Sequence, residues 1–297
     1  MMNLKSLLFT ASLSVFITGQ ALAQDNLLNA KTTDEIYEKT EAQIAYDNDE
    51  PLPYGYVDKR DVLWAKTTWE TIDLDERMNF PLYYPVDGNL GSDRMSLYDV
   101  LLTNIKNGRI ENIYTDSYFT EKRTLSDIEA TLSKVDTTDA GRAQINAGET
   151  LSPEYINRRD LTAADIEEFR IRGYWYIDKR QGELKYRLLG IAPVAPDVNF
   201  IDDENAALVE LFWVFIPEVR EVLHEAKTFN RENSAQPITF DHVLNSRRFS
   251  SVIYKEDNVY GDRPIDDYIQ GNALMQLLES DRIKESIRNV EMDMWSN

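Results

Sequence analysis

The residues that could do chemistry are few. The chain has 297 residues, no cysteine, and only two histidines, His224 and His242. The missing cysteine removes a thiolate nucleophile, a thiolate metal site and a disulfide framework together. Two histidines are too few for a three-histidine zinc site, and a serine triad would have to use one of them. His242 falls in a segment that reads as a capped helix, and His224 in PEVREVLHEAK, where each is more simply a helix-surface residue. There is no GxGxxG, phosphate loop, GxSxG elbow or HExxH. No catalytic residue, cofactor site or metal site is therefore expected.

Carboxylates are abundant, with 52 acidic against 32 basic residues and a formal net charge of -20. A glycosidase-like pair would need two acids about 5 to 9.5 Å apart in a cleft, which sequence does not supply. Asp202-Asp203-Glu204 lacks the spaced ligands and central glycine of a calcium loop, and reads as a solvated loop or helix start. Glu210 is the single charge in the apolar run LVELFWVFI. It is either a functional acid or one paired for structure, and pairing is expected because buried acids persist when paired. The acidic balance makes nucleic acid and anionic lipid poor partners.

The other chemistry in reach is recognition by aromatic residues. WAKTTWETIDLDERMNFPLYYP, from Trp64 to Pro85, carries two Trp, two Tyr and a Phe. Trp and Tyr dominate interface hot spots, so in an assembly subunit Trp64, Tyr83 and Tyr84 are the candidate interface residues, with packing in the chain's own core as the alternative. Leu82, Tyr83 and Tyr84, between Pro81 and Pro85, are expected to be extended. Val62, Ala65, Trp69 and Ile72 recur at helical spacing and predict a helix ending before Pro81, with Asp73 and Arg77 as an i, i+4 pair.

The elements that must position these residues follow. Ser96 with Asp99 caps a helix through Leu97, Leu101 and Ile105 that ends near Gly108, and a short strand follows around Glu111 to Tyr114. Ser126 with Glu129 is expected to cap a second helix. Thr162 with Asp165 is expected to cap a third, stapled by Leu161 and Ile166. Ile171, Gly173, Trp175 and Ile177 alternate with polar residues, and Gln181-Gly182 turns into a second strand from Leu184 to Ile191. Leu208 to Ile216 reads as a strand buried on both faces. The C-terminal segment is a helix with Ile283, Ile287, Val290 and Met294 on one stripe, acids Asp266 and Asp267 before it and bases in its later half. Residues 96–114 and 239–254 echo one another as capped helix then short strand, through an old duplication or by chance.

The ends complete the organisation. Residues 1–23 have a basic start, a short apolar run and Ala21-Leu22-Ala23, the form of a cleaved signal peptide. The mature chain is then expected to be exported, and without cysteine it is not lipidated at an N-terminal Cys. Residues 24–60 are polar and read as an arm or strap. Residues 61–297 form an α+β domain, an antiparallel meander sheet covered by helices, with the extended N-terminal arm before it.

One family resemblance fits these features. Trp64, Trp69, Ile72-Asp73-Leu74, Glu76, Met78-Asn79 and Pro81-Leu82-Tyr83-Tyr84-Pro85 resemble the signature of the GldN family, called PorN in some members. The likeness continues through Ser96 to Leu101, Gly173-Tyr174-Trp175 to Asp178, Leu189 to Pro193 and Leu211-Phe212-Trp213. It does not separate GldN from its paralogue GldO. The resemblance implies a non-enzymatic structural subunit of the type IX secretion and gliding motility machinery. Such a subunit self-associates in a periplasmic ring with a GldK-like lipoprotein at the inner face of the outer membrane, and meets the periplasmic part of a GldM-like motor. Its membrane contact would come only through partners. The alternative from the residues alone is an exported carbohydrate-binding or carbohydrate-active protein using paired carboxylates and aromatics.

Overall fold

The computed structural model describes residues 50–86, 94–138, 153–200, 206–230 and 238–295, with Arg142, Gln144 and Asn146 between the second and third stretches. The segment expected to be a signal peptide, most of the expected arm and Asp202-Asp203-Glu204 lie outside them. The fold is α+β, built on one antiparallel sheet.

Its longest strands form the expected hairpin. β5 (Glu168–Asp178) and β6 (Glu183–Pro196) pair antiparallel, and Gly182 at φ 65 supplies the left-handed turn residue between them. β1 (Val62–Asp73) runs along the other side of β5. This corrects the helix expected here. Trp69 and Ile72, three residues apart, stand on opposite faces of the strand, Trp69 beside Ala192 and Trp213, Ile72 in the main core. With both faces covered, Thr68 to Glu70 and Ile72 are all buried, so no alternation survives to mark the strand. Thr67, Thr68, Thr71 and Ile72 were its local signal.

β2 (Ile113–Tyr114), β7 (Leu208–Glu210), β8 (Trp213–Phe215) and β11 (Val252–Glu256) complete the sheet, in the order β11-β1-β5-β6-β8-β2 with β7 also on β6. The single apolar strand expected at Leu208 to Ile216 is broken. Its two pieces pair with separate parts of β6, and Leu211 and Phe212 between them turn into the core. Two small two-stranded sheets, β3 (Ser133–Thr137) with β4 (Ile156–Asp160) and β9 (Lys227–Thr228) with β10 (Ile238–Thr239), lie apart from it.

The helices are α1 (Phe80–Tyr83), α2 (Leu97–Lys106), α3 (Leu125–Leu132), α4 (Ile216–Glu225), α5 (Phe240–Asn245), α6 (Ile265–Tyr268) and α7 (Ala273–Trp295). α1 replaces the extended run expected at Leu82 and Tyr83. Pro81 sits in its first turn, where proline lacks no needed donor, and only Tyr84 is extended. The Ser96 cap on α2 forms as expected. α3 starts two residues early, because Thr124 and Asp127 make the capping box in place of Ser126 and Glu129. Thr162 and Asp165 also make a box, but the helix stops after Ala163–Asp165 because Ile166 is drawn into the core and the chain enters β5.

The main core fills one face of the sheet, where Ile72, Phe169, Ile171 and Leu188 meet Leu101, Phe212, Leu223, Phe240 and Leu244. A smaller cluster holds α7 to the far part of the sheet through Ile253, Ile265, Ile283 and Ile287. On α7 the expected stripe is buried only at Ile283 and Ile287. Val290 is half-buried and Met294 exposed. The two echoing segments become α2 then β2 and α5 then β11, with Ser96 and Thr239 as matched caps, and their strands are the two opposite ends of the sheet.

Candidate functional site

The sequence candidates do not converge. Trp64 is half-buried against the small cluster under α7, with Trp175, Leu184 and Ile269. Tyr83 packs on the main core, and its hydroxyl donates to the Ala164 carbonyl at 3.2 Å. Tyr84 remains 49% exposed, with its ring edge-on to Phe80 at 5.5 Å and to Tyr83 at 4.7 Å. Phe80 and Met78 are exposed beside it, so this corner offers a small apolar patch.

Sequence reading missed the most constrained site, an ion pair in the interior. Glu70 on β1 is fully buried. Arg247 donates to it twice, Nη1 to Oε1 at 3.1 Å and Nη2 to Oε2 at 2.7 Å. The Thr68 and Ser251 hydroxyls donate to the same carboxylate. Arg247 stacks its guanidinium over Tyr186, Trp175 and Phe249 at 4.2, 5.1 and 5.3 Å. Burial alone would lower its pKa, but the Glu70 charge and the hydrogen bonds hold it above the ordinary arginine value. Its backbone is left-handed, φ 51, just past the end of α5, where glycine is the favoured residue. A non-glycine there costs of order 1 kcal/mol or more, so the side chain's partners hold it against strain. The signal available in sequence was a lone acid, Glu70, among β-branched and aromatic neighbours.

A cavity of about 250 Å³ opens beside this pair, between the sheet and α7. Trp175, Leu184, Ile253 and Ile287 wall it, and Lys284 and Arg288 stand at the α7 side. Glu70 is the one carboxylate among its lining residues, and it is fully engaged by Arg247, Thr68 and Ser251. Lys284 donates to the Ser251 carbonyl at 2.6 Å. The acid here is held in place, and this space does not bring two acids together.

Two acids do share one cation elsewhere. Arg170 donates to Glu168 at 3.1 Å and to Glu210 at 2.8 Å, and Glu210 also accepts from Trp213 Nε1 at 2.6 Å. Glu210 is thus paired, as expected for an acid in an apolar run. Burial raises the Glu168 pKa against the pull of Arg170. Two residues on from Arg170 along the same face of the strand, Arg172 lies over Trp69, Tyr118 and Phe119, and its Nη1 donates to the Ser117 carbonyl at 2.8 Å. Burial, with the hydrogen bond to Asp262, pushes the Tyr118 pKa up to about 12. His242 donates its backbone N–H to the α5 cap and His224 lies in the last turn of α4. Among the described residues no group of three or more His, Cys, Asp or Glu could hold a metal, and no helix is long and apolar enough to cross a membrane.

The surface of α7 is the second feature that sequence reading missed. Leu274, Met275, Leu277 and Leu278 are 66, 48, 46 and 52% exposed, and no other five-residue stretch of the described residues exposes four large apolar side chains. Scattered exposed leucines are ordinary, whereas a contiguous group marks a surface with something to bury.

The model of one family, described as gliding motility associated protein GldN, matches residues 57–296. No curated protein matches the chain.

Proposed function

Because the chain belongs to the GldN family, whose members are gliding motility associated proteins, we propose that it is a non-enzymatic structural subunit of the type IX secretion and gliding machinery. It self-associates in a periplasmic ring with a GldK-like lipoprotein at the inner face of the outer membrane, and contacts the periplasmic part of a GldM-like motor. The family match over residues 57–296 carries this reading. Three features support it. The acids most suited to catalysis, Glu70, Glu168 and Glu210, are tied to arginines. The leucines of α7 and the corner at Phe80 and Tyr84 leave apolar surface uncovered. The leader expected at residues 1–23 would export the chain.

The test is purification of a tagged chain from gently extracted outer membranes, together with deletion of its gene. A stable complex with a lipoprotein, and loss of secretion and gliding on deletion, are expected. A free monomer with neither defect would overturn the reading.

A further inference from the structure

We propose that the exposed leucines of α7 are the seat of an amphipathic, lysine- or arginine-flanked helix supplied by a partner protein. The proposal rests on the reading of this chain as an assembly subunit and assigns one of its surfaces.

The argument begins with helix geometry. With 3.6 residues per turn, positions nine apart are two and a half turns apart, on opposite sides of the helix. Leu274 is nine before Ile283, and Leu278 nine before Ile287. Ile283 and Ile287 are buried against the sheet, where Ser280 also accepts the Ile253 backbone N–H at 2.9 Å. Leu274 and Leu278 therefore face directly away from the sheet, flanked by Met275 and Leu277. The turn from Leu274 to Leu278 is apolar on its outward side, and among the described residues nothing covers that side.

The outer patch is short. From Leu274 to Leu278 the helix rises about 6 Å, room for one helix to cross at a single point with anchors at i and i+3 or i+4. Its surroundings are acidic. Asp281 and Glu285 continue the outward face toward the C-terminus, and Asp266 and Asp267 are exposed on α6, which packs against α7. Arg282, the nearest outward base, is engaged by Glu279 at 2.7 Å through its Nε.

That charge pattern selects the occupant. A second copy docked through this same patch would bring its own Asp266, Asp267, Asp281 and Glu285 against these acids, whereas ring contacts through other surfaces would not. Such like-charge pairing opposes association at low ionic strength. A helix with leucine-type anchors between basic residues satisfies both the patch and its rim.

The experiment uses the full chain and two 14-residue helical probe peptides, one of leucine and lysine in amphipathic order and one with glutamate in place of lysine. Fluorescence anisotropy is expected to show binding of the lysine peptide only. In the double variant Leu274→Ser, Leu278→Ser binding should weaken tenfold or more, with the thermal midpoint unchanged because both side chains are exposed. Equal binding by both forms would overturn the proposal. So would concentration-dependent dimerisation of the natural chain that the double variant loses, which would give the patch to a second copy. Purification from envelopes separates this proposal from the reading beneath it. If the double variant keeps every partner of the natural chain, the patch assignment fails and the subunit reading stands, whereas a natural chain that brings no partner removes the subunit reading itself.

Discussion

Arg247 and Glu70 are joined by two hydrogen bonds across 177 positions of sequence, with Glu70 fully buried. The pair links the end of α5 to the middle of β1, and its cavity touches α7. It ties together the three parts of the domain that the sequence leaves separate.

Removing one partner should be severe. Arg247→Met strands a buried carboxylate and is expected to cost about 3 to 5 kcal/mol, measured by urea unfolding. Adding Glu70→Leu should recover most of that loss, since an apolar pair needs no counter-charge. A double variant as unstable as the single one would mean that Arg247 acts mainly through its aromatic stack.

The glycine beneath that stack is a second test. A Cβ on Gly173 would lie 2.2 Å from the Tyr186 ring, the ring that Arg247 covers. Gly173→Ala should cost roughly 1 to 3 kcal/mol by overpacking. The smaller Tyr186→Leu side chain in the same protein should return part of it in thermal denaturation.

The two tyrosines of the opening segment should separate. Tyr83→Ala gives up core packing and the bond to Ala164, and should lower stability by roughly 1 to 3 kcal/mol. Tyr84→Ala, at an exposed ring, should stay within about 0.5 kcal/mol while weakening assembly. Differential scanning calorimetry beside complex recovery distinguishes them.

How far these roles were legible depended on what each residue touches. The β5 and β6 hairpin was readable because its polar and apolar residues alternate and Gln181-Gly182 marks the turn. β1 was not, because its two faces are covered by different clusters and Val62, Ala65, Trp69 and Ile72 match a helix by coincidence of spacing. The caps at Ser96 and Thr124 follow local hydrogen bonding, and differ from expectation only in which threonine or serine wins. Arg247 could not be placed with Glu70 from sequence, since nothing local relates them. The outer leucines of α7 were hidden by a search for the one stripe that meets the sheet.

The loop after β2 should respond to acid. Partial burial of Asp116 opposes its charge, but the Thr120 hydroxyl and the backbone N–H groups of Tyr118, Thr120 and Phe119 outweigh it and hold its pKa below the ordinary 3.8. A lowered folded pKa adds stability above the unfolded value and loses it as pH falls through the folded one. The gap in stability between the natural chain and Asp116→Asn should therefore be present near neutrality and close only below about pH 4, in paired urea titrations. A gap that persists unchanged in stronger acid would assign the effect to hydrogen-bond geometry alone.

The absence of cysteine makes one measurement decisive for the subunit reading. Single cysteines can be introduced at Leu278 or Tyr84, with Lys106 as an exposed control remote in sequence from both, and treated with a thiol-to-amine cross-linker in intact cell envelopes. Adducts heavier than one chain at Leu278→Cys and Tyr84→Cys, and none at Lys106→Cys, are the predicted result. Bands at the mass of a single chain at all three positions would contradict the claim that this protein works as part of an assembly.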